Sequence, residues 1–259
     1  MKIDFCHPDI SDINSLKKLW LCCFEENPLA ADLFFDRCFS VKTAYVAKYS
    51  DKIVSALYLI NTLINGQQAH YLCGASTHPN FQKRGIMSRL IEFALADSAK
   101  KGDKLSFLYP ASDSLYSYYS KLGYRAEYSA YVSSFNKEEL ISLGEINGIY
   151  DNVLIWNDDF KRFASQYYAV YNVNSVYNEN YFALFTEKNG IADVLYFDFK
   201  ENYFQSLVNE IIDKTSAEKF VLTHNNIFKN SKRIRSGMVK PLNSEASALK
   251  DVYIGITLS

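Results

Sequence analysis

The chain has 259 residues, of which 48% are hydrophobic and 22% charged, and its net charge is −1. This is the composition of a globular protein, and it argues against a nucleic-acid binder, which would carry a basic face. No segment reaches the ~20 consecutive apolar residues of a membrane span, and the N-terminus lacks the apolar core of a signal peptide. The five cysteines fit no zinc-binding spacing, so we expect buried, reduced thiols, no metal and a cytoplasmic protein.

The first part of the chain, residues 1–145, alternates strand patterns with amphipathic helix patterns. A polar turn at residues 8–12 leads into the first helix, and the run Glu25-Glu26-Asn27-Pro28 ends it. Asn65-Gly66 marks a tight turn between strands. The predicted strands are residues 2–6, 43–49, 53–61, 70–77, 104–109 and 125–135, and the predicted helices after the first are residues 30–39, 87–101 and 114–122.

The stretch from His70 to Tyr124 organises this half. A buried strand is followed by the turn His78-Pro79-Asn80-Phe81 and by the basic segment Gln82-Lys83-Arg84-Gly85, after which apolar residues recur with the spacing of one helix face. A helix start has unpaired N–H groups and partial positive charge, and glycine leaves the backbone accessible. The segment therefore indicates a site for a phosphate or pyrophosphate, with a solvated helix cap as the alternative.

Polar residues 136–150 contain Gly144 and Gly148, and we place a domain boundary there, giving residues 1–145 and 146–259. The second part repeats a similar order of elements. Where the first part has its glycine turn, the second has Asp198-Phe199-Lys200-Glu201-Asn202, whose carboxylates would repel a pyrophosphate. The predicted strands are residues 153–156, 181–186, 191–199, 220–223, 236–242 and 251–258, and the predicted helices lie at residues 158–168 and 203–212.

Two segments carry a resemblance to a known family. Pro79-x-x-Gln82-x-x-Gly85-x-Met87 resembles the acyl-CoA pyrophosphate loop of the GNAT N-acetyltransferase superfamily, and Tyr119-x-Lys-Leu-Gly-Tyr resembles its second signature. Met87 replaces a small residue, as in the Eis-like tandem acetyltransferases. The resemblance is specific over residues 70–124 and fair over residues 1–135. It implies an α/β fold with a mixed sheet, in which a GNAT fold is followed by a degenerate GNAT-like half without a coenzyme site.

The resemblance also implies the residues of an acetyl-CoA site. Backbone groups of Ala75, Ser76 and Thr77 would hold the pantetheine arm and polarise the thioester carbonyl. Tyr119 would act as the general acid that protonates the departing thiolate, or else be an ordinary packing residue. The segment that would hold the pyrophosphate consists of Gln82, Lys83, Arg84, Gly85, Ile86, Met87 and Ser88.

The acceptor side is less defined by sequence. In the superfamily the helix–loop–helix region near residue 25 shapes the acceptor pocket, so Glu25 and Glu26 are candidates to meet a cationic amine, with a solvated acidic turn as the alternative. The general base is open between these carboxylates, a water chain and the terminal carboxylate of Ser259. In Eis-like enzymes the C-terminal carboxylate reaches the active site, whereas the alternative places Ser259 at the far edge of the second domain.

These observations predict an enzyme that transfers acetyl from acetyl-CoA to a primary amine of a small molecule by direct attack. Acetylation of a protein or peptide is a variant that the sequence does not separate. Two further alternatives are a non-catalytic acyl-CoA-binding module and a degenerate interaction protein. We expect no nucleic-acid or membrane partner, and the sequence leaves open whether the chain forms a homo-oligomer.

Overall fold

The computed structural model describes residues 2–146, 154–225, 228, 231–244, 246, 250 and 252–258. The helices are α1 (Ile13–Cys23), α2 (Pro28–Arg37), α3 (Ile86–Lys100), α4 (Asp113–Lys121), α5 (Lys137–Ser142), α6 (Asp158–Ala169) and α7 (Phe204–Asp213). The strands are β1 (Asp4–Cys6), β2 (Ala44–Tyr49), β3 (Lys52–Ile64), β4 (Gln67–Thr77), β5 (Leu105–Leu108), β6 (Arg125–Asn136), β7 (Leu154–Ile155), β8 (Asn174–Tyr177), β9 (Tyr181–Lys188), β10 (Ile191–Phe199), β11 (Lys219–His224) and β12 (Lys232–Pro241).

Within the described residues these strands form one mixed sheet in the order β1-β2-β3-β4-β5-β12-β6-β11-β10-β9-β8, and β7 pairs with β3. The pairs β4–β5 and β10–β11 are parallel, and the others are antiparallel. The predicted mixed α/β fold class is confirmed. The sheet also crosses the predicted boundary near residue 145, because β12 comes from the second part of the chain yet lies between β5 and β6 of the first.

Helices cover the sheet and bury three clusters of apolar side chains. One cluster joins α1, α2 and α6 with the segment 252–258, and its large members include Trp20, Phe34 and Trp156. The second lies beneath α3 and α4 and contains Tyr119. The third packs α5 and α7 on the strands of the second part. The candidate site described below lies at the edge shared by the first two clusters.

The C-terminal segment corrects one prediction. Residues 251–258 read as a strand, but the described part, residues 252–258, is not paired in the sheet. Alternate side chains are buried as in a strand, yet side chains bind the backbone: Trp156 Nε1 donates to the carbonyl of Ile254 at 2.9 Å, and the Tyr168 hydroxyl donates to that of Thr257 at 2.6 Å. The alternation of apolar residues in this segment therefore indicates that every second side chain is buried, and not that the segment pairs with a neighbouring strand.

Strand β8 and the burial of the cysteines also differ from what the sequence predicts. Strand β8 carries no clear alternation and was not predicted, and it forms the edge of the sheet beside β9. The expectation of buried thiols holds for Cys73, whereas Cys22 is exposed and the other three cysteines are half-buried. Among the described residues, no helix combines the length and the hydropathy needed to cross a bilayer.

His224, at the end of β11, gives the fold a pH-dependent stability. Its ring is 2% exposed and its Nε2 lies 3.0 Å from Ser133 Oγ on β6. Burial lowers the pKa of His224 to about 4, against about 6.5 in an unfolded chain. Between these values the unfolded chain binds the additional proton, so stability falls as the pH falls. We expect this residue to cost about 2 kcal/mol of unfolding free energy between pH 7.5 and pH 5.

Urea unfolding of the native protein and of His224→Gln at both pH values measures this contribution. The variant is expected to start less stable, because it loses packing against Phe228 and Tyr131, but to lose about 2 kcal/mol less on acidification. Equal losses in the two proteins would show that His224 does not titrate between these pH values.

Candidate active site

Strands β4 and β5 separate from each other and leave a wedge in the sheet. Their parallel pairing covers Ala69–Leu105, His70–Ser106 and Tyr71–Phe107 and then stops. On its other side β4 stays paired with β3 as far as Thr77. Among the described residues, the backbone of β4 beyond Tyr71 therefore has no strand partner on the side of β5. An extended ligand can form strand-like hydrogen bonds along this edge.

A bulge at Gly74 accompanies the separation. The register with β3 shifts between Ser76, which faces Ala56, and Cys73, which faces Tyr58, so that β4 has an additional residue there. Gly74 has a left-handed backbone, with φ at +59°. An extra residue of this kind bends a strand and increases its local twist. The bulge thus turns the last residues of β4 away from β5.

The basic segment forms a left-handed loop at the start of α3. Lys83 and Gly85 have φ values of +60° and +69°, and α3 begins at Ile86 with Gly85 as its N-cap. The Gln82 side chain holds the loop against β4 by donating from Nε2 to the carbonyl of Thr77 at 3.0 Å. Alternating backbone conformations and a helix start both point N–H groups towards one place, which suits an anion.

A cavity of about 510 Å³ lies beside this loop, and we call it the coenzyme-side cavity after the coenzyme site that the sequence predicts there. It brings together most residues of the predicted acetyl-CoA site, which come from β4, the loop, α3 and α4. Phe81, Leu115 and Tyr118 were not predicted for it; the second signature could have indicated the last two, since they lie beside Tyr119 on α4. The lining residues are Ala75, Thr77, Phe81, Gln82, Lys83, Gly85, Ile86, Met87, Ser88, Leu115, Tyr118 and Tyr119.

Two residues predicted for the acetyl-CoA site, Ser76 and Arg84, do not line this cavity. Ser76 is buried, and its hydroxyl hydrogen-bonds to the carbonyl of Ala56 at 3.5 Å. Because side chains alternate along a strand, Ser76 points away from the cavity between Ala75 and Thr77. The guanidinium of Arg84 lies over the ring of Phe81, 5.5 Å from its centroid, at the outside of the loop.

Tyr119 lines the inner part of the same cavity. Its side chain is only 8% exposed and packs against the rings of Tyr118 and Tyr124, at centroid distances of 5.1 and 5.8 Å. Burial, with smaller contributions from Tyr118 and Cys73, raises the pKa of Tyr119 above its ordinary value of about 10. The phenol is therefore protonated at neutral pH, and the raised pKa makes it a weaker acid than a free tyrosine.

A second cavity, also of about 510 Å³, lies on the other side of β4. Both parts of the chain build it: α1 and the loop after it contribute one wall, and α6 with the C-terminal segment contributes the other. The lining residues are Trp20, Cys23, Phe24, Glu25, Glu26, Tyr167, Tyr168, Tyr171, Val173, Thr257 and Leu258. We call this the aromatic cavity.

The two predicted carboxylates differ inside the aromatic cavity. Glu25 is exposed, whereas Glu26 is half-buried and fixed by neutral donors. Trp20 Nε1 and the Tyr167 hydroxyl both donate to the Glu26 carboxylate, and the Tyr171 hydroxyl lies 3.3 Å from it. Burial and this carboxylate raise the pKa of Tyr167. Tyr167 and Tyr171 lie 141 and 145 residues away from Glu26, so sequence reasoning had no signal for them.

A hydrogen bond at the end of β4 connects the wall of the coenzyme-side cavity with the wall of the aromatic cavity. Thr77 lines the coenzyme-side cavity, and Cys23 lines the aromatic cavity. The Cys23 thiol donates a hydrogen bond to the carbonyl of Thr77 at 3.4 Å. Burial raises the pKa of Cys23 to about 11, so this thiol stays protonated and is a poor nucleophile. Ser259, predicted to act in the site, lies outside the described residues.

The corresponding turn of the second part has a different chemistry. Asp198 pairs with Lys161 at 2.8 Å, and α7 begins shortly after it at Phe204. The backbone N–H of Phe204 donates to the carboxylate of Glu145 at 3.0 Å. A carboxylate of the chain itself therefore occupies the helix start where the first part has its open glycine loop.

Comparisons with known proteins agree with this architecture. Residues 7–126 match the acetyltransferase (GNAT) domain family. Comparison with curated proteins finds no match. Among solved structures, a GCN5-related N-acetyltransferase from Kribbella flavida is similar with a TM-score of 0.67 and 17% identity over 95% of this chain and 73% of that one. Eis1 from Mycobacterium abscessus is similar with a TM-score of 0.67 and 11% identity, over 95% and 75% of the two chains.

A probable N-acyltransferase from Enterococcus faecalis has a TM-score of 0.65 and 12% identity, over 93% of this chain and 73% of that one. At these identities the structural similarity speaks for the fold. The domain match covers β4, the glycine loop, α3 and Tyr119, which are the elements that build the coenzyme-side cavity. The match to the GNAT acetyltransferase domain family thus covers residues 7–126, and the chain is similar in fold to the GNAT protein of Kribbella flavida and to Eis1.

Proposed function

We propose that this protein transfers the acetyl group of acetyl-CoA to a primary amine of a small molecule. The observation that carries the proposal is the coenzyme-side cavity, which joins an anion-binding helix start, an unpaired strand edge and a buried phenol. These are the three groups needed to hold a pyrophosphate, to align a pantetheine arm and to protonate a leaving thiolate.

Each proposed role follows from the position of the group. The backbone N–H groups around Gly85 and the side chain of Lys83 would bind the pyrophosphate. The free edge of β4 at Ala75 and Thr77 would hydrogen-bond to the pantetheine amides and orient the thioester. Since Thr77 lines one cavity and its carbonyl is bonded to Cys23 in the wall of the other, an amine held in the aromatic cavity would lie near that thioester. Holding two reactants in register in this way supplies much of the rate of such a transfer.

The proton balance uses Tyr119. The neutral amine attacks the carbonyl carbon, a C–N bond forms and the C–S bond breaks. Tyr119 gives its proton to the sulfur, and the proton lost by the amine replaces the one that Tyr119 gave. Glu26 would attract the amine in its cationic form. The ammonium group loses a first proton before the attack, and its acceptor stays open between Glu26, water and the terminal carboxylate of Ser259; the proton that restores Tyr119 is a second one, lost after the C–N bond has formed.

The second part of the chain would support the site without binding coenzyme itself. Glu145 at the start of α7 and the Asp198–Lys161 pair leave no helix start there that would attract a pyrophosphate. We keep the division into residues 1–145 and 146–259 as a proposal about evolutionary units, with β12 as the strand that fastens them together.

Calorimetric titration with acetyl-CoA tests the proposal, followed by release of free thiol in the presence of an amine panel. Binding with acceptor-dependent thiol release supports the transferase. Binding without release for any amine or peptide would favour a non-catalytic acyl-CoA-binding module, and no binding would favour an interaction protein.

Gly85→Val should weaken acetyl-CoA binding at least tenfold, about 1.4 kcal/mol. A β-branched residue resists the left-handed conformation at φ +69°, so the loop would open and its N–H groups would no longer converge. Gly190→Val is the matched control, because Gly190 has φ at +73°, lies in the distant β9–β10 turn and, like Gly85, has no atom within 4 Å of the position that a Cβ would take. Isothermal titration of both variants should show the loss for Gly85→Val alone; an equal affinity in all three proteins would remove the loop from the site.

A further inference from the structure

We propose that the acceptor is an amine with a single cationic group on an aromatic or apolar body, bound in the aromatic cavity with its ammonium group at Glu26. This proposal rests on the proposed transferase function and adds the class of substrate. The cavity is the part of the molecule in which a carboxylate, several aromatic rings and the coenzyme side come together.

Glu26 is held by hydrogen-bond donors that carry no charge. Its hydrogen-bond partners Trp20, Tyr167 and Tyr171 are neutral, so they fix the carboxylate without cancelling its charge. No lysine or arginine lines the cavity among the described residues. A carboxylate has about four acceptor positions, so a position is left for a ligand. A half-buried anion without a cation is expensive, and a cationic ligand would complete it.

Aromatic side chains form much of the wall of the aromatic cavity. The rings of Trp20, Phe24, Tyr167, Tyr168 and Tyr171 line the same cavity as the carboxylate. Aromatic faces attract cations and also bury apolar surface. A volume of about 510 Å³ is in the range of small-molecule pockets. The cavity thus suits an ammonium group and a ring or short alkyl body together.

Polyamines, and amino sugars with several ammonium groups, suit the aromatic cavity less well than an amine with one. A ligand with several ammonium groups would place its other charges against aromatic and aliphatic side chains, at a high desolvation cost. The second carboxylate of the cavity, Glu25, is exposed, so its attraction is screened by solvent and salt. Among the described residues, one half-buried carboxylate therefore favours one cation.

The test is amine binding in the absence of acetyl-CoA, measured by calorimetry and by the intrinsic fluorescence of the two tryptophans. The probes are 2-phenylethylamine, its neutral analogue 2-phenylethanol, ethylamine and spermidine. We expect 2-phenylethylamine to bind at least tenfold more tightly than each of the other three. Glu26→Gln should remove the preference over 2-phenylethanol. Glu138→Gln, which removes a negative charge from an exposed position on α5, is the control and should keep it.

The outcomes separate this inference from the proposed function. Tighter binding and acetylation of spermidine would overturn the inference and leave the transferase in place. Preferential binding of 2-phenylethylamine without acetyl transfer to any amine would support the cation site at Glu26 and contradict both the transferase and the role of this amine as its acceptor. An unchanged preference in Glu26→Gln would also overturn the inference, because the carboxylate would then not be the cation site.

Discussion

Tyr119→Phe should lower kcat by about 10²–10⁴, the usual contribution of acid–base catalysis, while the affinity for acetyl-CoA stays within about twofold. The substitution removes only a hydroxyl group. The ring keeps its packing against Tyr118 and Tyr124 and remains part of the cavity wall, so the fold and the coenzyme site should survive. Without the phenol, the departing thiolate would have to take its proton from water.

Tyr118→Phe is the matched control for this prediction. Tyr118 is adjacent, lines the same cavity and has its hydroxyl 3.0 Å from Ser88 Oγ. We expect its kcat to change by less than about fivefold, since losing one neutral hydrogen bond costs about 1 kcal/mol or less in most contexts. Steady-state thiol release with saturating amine measures both. If Tyr119→Phe keeps wild-type turnover, Tyr119 is a packing residue, and an equal loss of kcat in Tyr118→Phe would show that the effect is not specific to the Tyr119 hydroxyl.

Gly74→Ala should destabilise the protein by about 3–5 kcal/mol, combining left-handed strain with overpacking. A Cβ on Gly74 would lie 2.3 Å from Cζ3 of Trp20 and 2.7 Å from Cδ2 of Tyr58, and both rings are buried. Relief of this overlap has to move Trp20, whose indole N–H holds Glu26. We therefore also expect weaker amine binding in whatever fraction stays folded.

The control here is Gly66→Ala, in the turn between β3 and β4. Gly66 has φ at +72° with nothing within 4 Å of a Cβ, so the change should cost only the backbone strain, about 1 kcal/mol. Urea unfolding of both variants gives the difference. A loss for Gly74→Ala no larger than that for Gly66→Ala would mean that the rings yield freely and that the bulge is not tightly packed.

Local signals explain why much of the first part could be predicted. The glycine and the basic residues of the loop fix a left-handed turn before α3, and apolar spacing fixes the face that α3 buries. Asn27 and Pro28 start α2 where the acidic run ends α1, because Asn27 accepts a hydrogen bond from Leu29 at 3.0 Å. These features act over a few residues, so the sequence by itself determined the elements, the coenzyme-side loop and the place of Tyr119 beside it.

Only the tertiary structure decided the rest, because it depends on contacts between distant residues. Strand β12 enters the sheet between β5 and β6, a pairing that no periodicity encodes. The C-terminal segment alternates like a strand, but the side chains of Trp156 and Tyr168 take its backbone hydrogen bonds. Glu25 and Glu26 are neighbours in an acidic run, and the difference between them comes from α6 and the turn after it, which bring Tyr167 and Tyr171 to Glu26. The proposed acceptor side therefore depends on the packing of the two parts of the chain.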